Sequence, residues 1–139
     1  DKYPGTAYAG MGAMLSAKAL LESGDLKSAQ AQFGWTAEHA KDQGLRDLAR
    51  LRQAITLAED KSYDEALKLL AVPPAPSFMP RYLEVRGDIL AVQGKAGEAR
   101  TAYAEAIKAH EGARKAENLP AGPYLEILQA KRDAVGGAS

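Results

Sequence analysis

The chain contains no cysteine, which excludes disulfides and thiolate metal sites and leaves an oxidising compartment permitted. Aromatics make up only 6% of its residues, and the β-branched residues Val and Ile are scarce. A packed sheet draws on those residue types, so their shortage argues for helix. Charge of one sign is also missing: 18 basic side chains balance 18 acidic ones. Nothing in that total favours nucleic acid or an anionic membrane. No stretch approaches the roughly 20 apolar residues of a membrane-spanning helix. The chain opens on Asp1 without a signal-peptide pattern, and the expectation is a soluble portion cut or processed from a longer protein; the absence of an anchor here is no evidence against one.

Abundant alanine fills the space these absences leave, and alanine is the best helix former. "TAYAGMGAMLSAKALLES" (6–23) is helical in composition, with Thr6 as a cap and Gly24 as its left-handed end. Asp25 opens a second helix that should run to about Asp42, closed by Gly44. "LRDLARLRQAITLAED" (45–60) places Leu48, Leu51, Ile55 and Ala58 on one face. "SYDE" (62–65) has the form of a capping box and opens a short fourth helix. Four prolines in "VPPAPSFMP" (72–80) then prevent continuous helix and mark the best candidate for a hinge. A fifth helix is expected over about 79–93 and a sixth over about 97–111. "GARKAENLPAGP" interrupts, and a seventh follows Pro123. The last four residues, "GGAS", read as a frayed tail.

Three phrases of this chain align. Gly24, Lys61 and Gly94 share one column, Ala29, Ala66 and Ala99 another, and Phe33, Leu70 and Tyr103 a third. Upstream, Ala17, Ala54 and Gly87 agree, as do Leu20, Leu57 and Leu90. The period is close to the roughly 34 residues of a tetratricopeptide repeat. Two helices joined by a tight turn approach closely only where side chains are small, so the small column of each first helix should meet the alanine column of the second. The expected fold is all-α: a tetratricopeptide-repeat-like right-handed superhelix of three helical hairpins plus a C-terminal capping helix. It forms a single domain over 1–139, with repeats at about 8–43, 45–72 and 78–111 and the capping helix at about 123–135.

"LARLRQAITLAEDKSYDEALKLL", "YLEVRGDILAVQGKAGEARTAYAEAI", the opening "TAYAGMGAMLSAKALLESGDLKSAQAQF" and the closing "LEILQAKRDAV" together resemble the tetratricopeptide-like periplasmic domain of the YfgM family, the ancillary subunit of the bacterial Sec translocon. The resemblance covers nearly the whole chain. It implies a protein anchored in the inner membrane by one N-terminal helix outside this chain. It also implies a location on the periplasmic side, with the Sec machinery and periplasmic chaperones as partners.

Catalytic patterns are absent from the sequence. His39 and His110 are the only histidines and lack metal spacing, and a positive residue near a helix C-terminus is their simpler role. "GMG" (10–12) follows no strand, and close helix packing explains it better than a phosphate loop. There is no G-x-S-x-G elbow. Paired carboxylates such as Glu38/Asp42 and Asp60/Asp64 read as solvated or capping groups. Trp35 suits a packing role and an exposed patch equally. The expectation is a non-enzyme without cofactor or metal, binding a protein or peptide and no nucleic acid. First helices of stacked hairpins line a concave face, and the residues expected on it are Met11, Met14, Lys18, Leu51, Ile55, Arg81, Glu84 and Asp88. Flexible Met beside charge suits an adaptable peptide groove; the alternative is that the apolar members are core. Alternative functions are an assembly scaffold of another envelope complex or the regulatory domain of a larger enzyme.

Overall fold

A computed structural model describes residues 7–136, and the Thr6 cap and the tail beyond Gly136 lie outside the described residues. Among the described residues seven α-helices follow one another: α1 Ala7–Glu22, α2 Leu26–His39, α3 Gln43–Glu59, α4 Tyr63–Leu70, α5 Met79–Val92, α6 Ala96–Ala116 and α7 Pro123–Gly136. A 3₁₀ turn, Pro76–Phe78, precedes α5. No strand occurs among the described residues. The all-α expectation holds, with hairpins α1–α2, α3–α4 and α5–α6 and a closing helix. The chain divides into two compact units between Ala75 and Pro76, inside the proline-rich stretch.

The repeated phrase is one turn built three times. After α1, Gly24 adopts φ +86°, and after α5, Gly94 adopts φ +79°. The next amides, of Asp25 and Lys95, each reach back 2.9 Å to the carbonyls of Leu20 and Leu90. Lys61 takes the same left-handed conformation, at φ 63°, and the Ser62 amide donates to Leu57 at 2.8 Å. These are Schellman closures, and the leucine column supplies all three acceptors. Lys61 therefore keeps the turn at a steric cost of roughly 1–2 kcal/mol that glycine escapes. The columns around the turns are buried as packing requires. Ala17, Ala29, Ala54, Ala66 and Ala99 are inaccessible to solvent, with Phe33, Leu70 and Tyr103 close to it.

Gly87 makes the closest approach. A Cβ there would fall 2.6 Å from a Tyr103 ring carbon, so the ring of the third column, rather than Ala99, takes the space beside it. Gly10 is similarly tight: a Cβ would meet Leu45 Cδ2 at 2.6 Å. Close helix packing thus accounts for this end of "GMG", while Gly12 faces open space.

Three local expectations are corrected. Helix α2 ends at His39 instead of Asp42, and Gly44 lies inside α3 instead of closing α2. Asp42 is the reason: its carboxylate accepts from the Leu45 amide at 2.8 Å and so caps α3. The Arg46 guanidinium meanwhile donates to the freed carbonyls of Ala40 and Lys41. Ser62 occupies the N-cap position of α4 but its hydroxyl makes no capping bond, so the capping box does not form. Helix α6 continues to Ala116, past Gly112, and closes on Asn118 at φ 57°. His110 consequently lies within α6 and not near its end. His39 is in the last turn of α2, where its Nδ1–H donates to the Trp35 carbonyl at 2.9 Å and its ring stacks on the Trp35 indole.

Candidate functional site

In the N-terminal unit a small open groove of about 190 Å³ is lined by Met14, Leu15, Lys18, Leu21, Phe33 and Arg52. Helix α1 contributes four of these because residues four apart recur on one helical face. Phe33 of α2 lies beneath, packed on Ala17 and Ala29 with Met14 and Leu21 against them. Along the same helix Met11 is 57% exposed and Leu15 69% exposed. Lys18 and Arg52 are both exposed, and neither makes an ion pair among the described residues. Of the residues expected on the binding face, Met14 and Lys18 line this groove and Met11 extends its apolar strip. Leu51 is buried in the core and Ile55 half-buried, in keeping with the core alternative. Arg52 is an addition that the spacing of Leu51 and Ile55 does not indicate.

In the C-terminal unit the residues expected to bind, Arg81, Glu84 and Asp88, are placed differently. Glu84 is only 3% exposed, and its carboxylate is gripped from three sides. Arg81 donates to Oε1 at 2.7 Å, the Tyr124 hydroxyl to Oε1 at 2.7 Å and Lys131 to Oε2 at 2.6 Å. Lys131 also reaches Asp88 at 3.0 and 3.1 Å, and the Tyr103 hydroxyl donates to Asp88 at 2.6 Å. Tyr124, Leu128 and Lys131 fall at i, i+4 and i+7, one stripe of α7. Leu128 is wholly buried with Ala106 and Ile107 of α6, and the Tyr124 and His110 rings pack T-shaped with centroids 5.0 Å apart. Helix α7 therefore covers the acidic face of α5 with its own cation and phenol.

The electrostatics follow from that embrace. Burial alone pushes the Glu84 carboxyl up, but hydrogen bonds from Lys131 and Tyr124 and the charges of Lys131 and Arg81 outweigh it and hold the group below its usual range. Desolvation pulls Lys131 down, and its two carboxylate partners more than reverse this, raising it. The Tyr103 and Tyr124 phenols are both pushed up, first by burial and then by the carboxylates that accept their hydrogen bonds.

A second buried acid escaped the sequence reading. Asp47 is inaccessible to solvent; it accepts from Gln43 at 3.0 Å and from the Ala75 amide at 2.9 Å, with Arg50 at 3.5 Å. It fastens the end of the N-terminal unit's proline-rich segment to α3. No local pattern announces such a role, because Ala75 is far along the chain. No cluster of metal-ligating side chains occurs among the described residues, and no described helix is long and apolar enough to cross a membrane.

Comparison with known proteins agrees with the hairpin architecture. A family model described as a tetratricopeptide repeat-like domain matches residues 1–137. The ancillary SecYEG translocon subunit of Neisseria gonorrhoeae is 28% identical over 136 residues, covering 97% of this chain. The match takes in 61% of that relative, so the chain spans about three fifths of its length. No solved structure matches significantly. The repeated turn, the buried small-residue columns and a match running almost end to end lead to one assignment: the chain belongs to the tetratricopeptide repeat-like domain family.

Proposed function

We propose that this chain is the non-catalytic protein-interaction domain of a membrane-anchored ancillary translocon subunit, held on the periplasmic side of the inner membrane. There it contacts the Sec machinery and periplasmic chaperones. The resemblance to the YfgM family supports reading the location, the anchor and the chaperone partners this way, and the similarity to the Neisseria translocon subunit over 97% of the chain supports the Sec machinery as partner. The observation that carries a binding role is the open apolar strip of α1, where Met11 and Leu15 stand more than half exposed. A repeat scaffold gains its binding surfaces from such unburied helix faces, and solvent-exposed large apolar groups in contiguity mark interaction sites.

The test is photo-crosslinking in membranes of the full-length protein, with a crosslinker placed at Leu15. Adducts with translocon subunits or periplasmic chaperones are the expected result. Recovery of adducts only with proteins unrelated to secretion, or none at all, overturns the reading.

A further inference from the structure

The groove of the N-terminal unit has a shape and a charge that together define what it accepts. We propose that it takes one large apolar side chain, Leu or Phe in kind, from a partner polypeptide that carries Asp or Glu beside that residue. This rests on the reading of the chain as a protein-interaction domain and adds the chemistry of the partner segment.

Size comes first. The groove holds about 190 Å³, a little more than the roughly 150 Å³ apolar cavities that accept a benzene ring. One aromatic or branched aliphatic side chain fills it. The floor is apolar: Phe33 is buried, and Met14 and Leu21 are half-buried. Water there finds few polar partners, so an apolar guest gains by displacing it. Met14 lends the pocket adaptability, since its unbranched thioether repacks around different guests.

Charge decides the flanks. Lys18 on α1 and Arg52 on α3 line the same groove from two helices. Glu22 lies one turn beyond Lys18, yet no ion pair joins them, and Arg52 has no acidic partner among the described residues either. In the C-terminal unit the corresponding cations are committed to the chain's own acids, with Arg81 and Lys131 both on Glu84. Two uncommitted cations bordering an apolar hollow complement carboxylates on either side of an apolar anchor. Such complementarity selects partners and speeds their encounter. A recessed hollow between helices suits an inserted side chain better than a flat lipid surface, and two cations are few for holding an anionic membrane.

The experiment measures binding of short fluorescent peptides to the purified chain by anisotropy. One peptide sets Leu or Phe between acidic residues, a second sets the same residue between lysines, and a third sets serine between acidic residues. Vesicles rich in anionic lipid form a further arm. The first peptide should bind at least about tenfold tighter than the other two. The double substitution Lys18→Glu with Arg52→Glu should remove that margin, and so should Leu15→Asp. Lys27→Glu, away from the groove, should leave it intact. All these side chains are exposed, and unchanged helicity and melting confirm that the fold survives. Equal binding of the three peptides, or indifference to the double reversal, overturns the proposal. So does binding confined to the vesicles and lost on the same reversal, which makes the face a lipid surface. If peptide discrimination fails while the full-length protein still crosslinks to the translocon, this inference falls and the functional reading stands. If the peptides are discriminated but the translocon is not captured, the groove chemistry stands and the functional reading falls.

Discussion

Replacing Lys131 with methionine tests the closure of α7 over α5. The substitution removes one charge and keeps most of the apolar stem. It takes the lysine donor from Oε2 of Glu84, a residue 3% exposed, where the two atoms lie 2.6 Å apart. Removing one partner of a buried pair costs about 3–5 kcal/mol. Two features lower that figure here. The Lys131 side chain is 35% exposed, so part of its attraction is already screened by water, and Arg81 and Tyr124 stay on Glu84. The expected cost is therefore about 2 kcal/mol, and for a chain of this size the melting temperature should fall by about 6 °C. Glu84→Gln should cost about 1–2 kcal/mol, because Lys131 keeps Asp88 and the amide oxygen still accepts from Tyr124. The double variant should be less damaged than the sum of the two, by at least about 1 kcal/mol. Urea and thermal unfolding followed by circular dichroism give all three values. A coupling below about 0.5 kcal/mol refutes the reasoning, since it leaves α7 held by Leu128 and its apolar neighbours alone. The pH dependence supplies a second check. Glu84 titrates below its ordinary 4.5, so its contribution is complete above that pH and disappears as the pH falls through the folded value. Lys131 titrates above its ordinary 10.5, so its contribution is complete below that pH and disappears as the pH rises through the folded value. Lys131→Met should make the alkaline limb shallower, leaving the part due to the raised Tyr103 and Tyr124 phenols, and Glu84→Gln should make the acid limb shallower.

The turn at Lys61 should tolerate improvement: Lys61→Gly relieves the left-handed strain and, after the entropy glycine adds to the unfolded chain, should raise stability by about 0.5–1 kcal/mol. An unchanged or lower thermal melt contradicts the conformation at φ 63°. Gly87→Ala should destabilise by about 1–2 kcal/mol despite alanine's better helix propensity. The added methyl would sit 2.6 Å from a Tyr103 ring whose hydroxyl is tied to Asp88, and a melt that rises with this substitution refutes the close approach. Asp47→Ala should cost about 1–3 kcal/mol by leaving the Ala75 amide without its acceptor. Hydrogen exchange at that amide should accelerate, and slow exchange in the variant shows that another group holds it.

The legible part of this protein is the part written in short range. Gly24 and Gly94 announce their turns because only a residue free of Cβ enters the left-handed region without strain. The alanine columns announce their packing because a methyl is the largest group that fits a close helix crossing. At Lys61 the column, and not the residue, indicates the turn, which survives because Ser62 and Leu57 close it as the glycine turns are closed. Of the groove's lining, Met14 and Lys18 are placed on one helix by the spacing of α1, whereas Phe33 and Arg52 join them only once α2 and α3 are packed beside it.

Helix ends were less legible, since Asp42 and Gly44 each offer a boundary and the choice falls to Asp42 through its bond to Leu45 and the reach of Arg46 to Ala40 and Lys41. The acidic residues of α5 show the deeper limit. From spacing alone Arg81, Glu84 and Asp88 form an open charged face, and nothing nearby indicates otherwise. Two of the three partners of Glu84 lie 40 and 47 residues away, at Tyr124 and Lys131. The sequence by itself determined the hairpins, their turns and their seams, because those depend on backbone sterics and side-chain size within one helical pair. Only the tertiary structure decided which faces remain open, because the burial of a charge depends on whether a distant segment brings the counter-charge and hydrogen bonds that make its desolvation bearable.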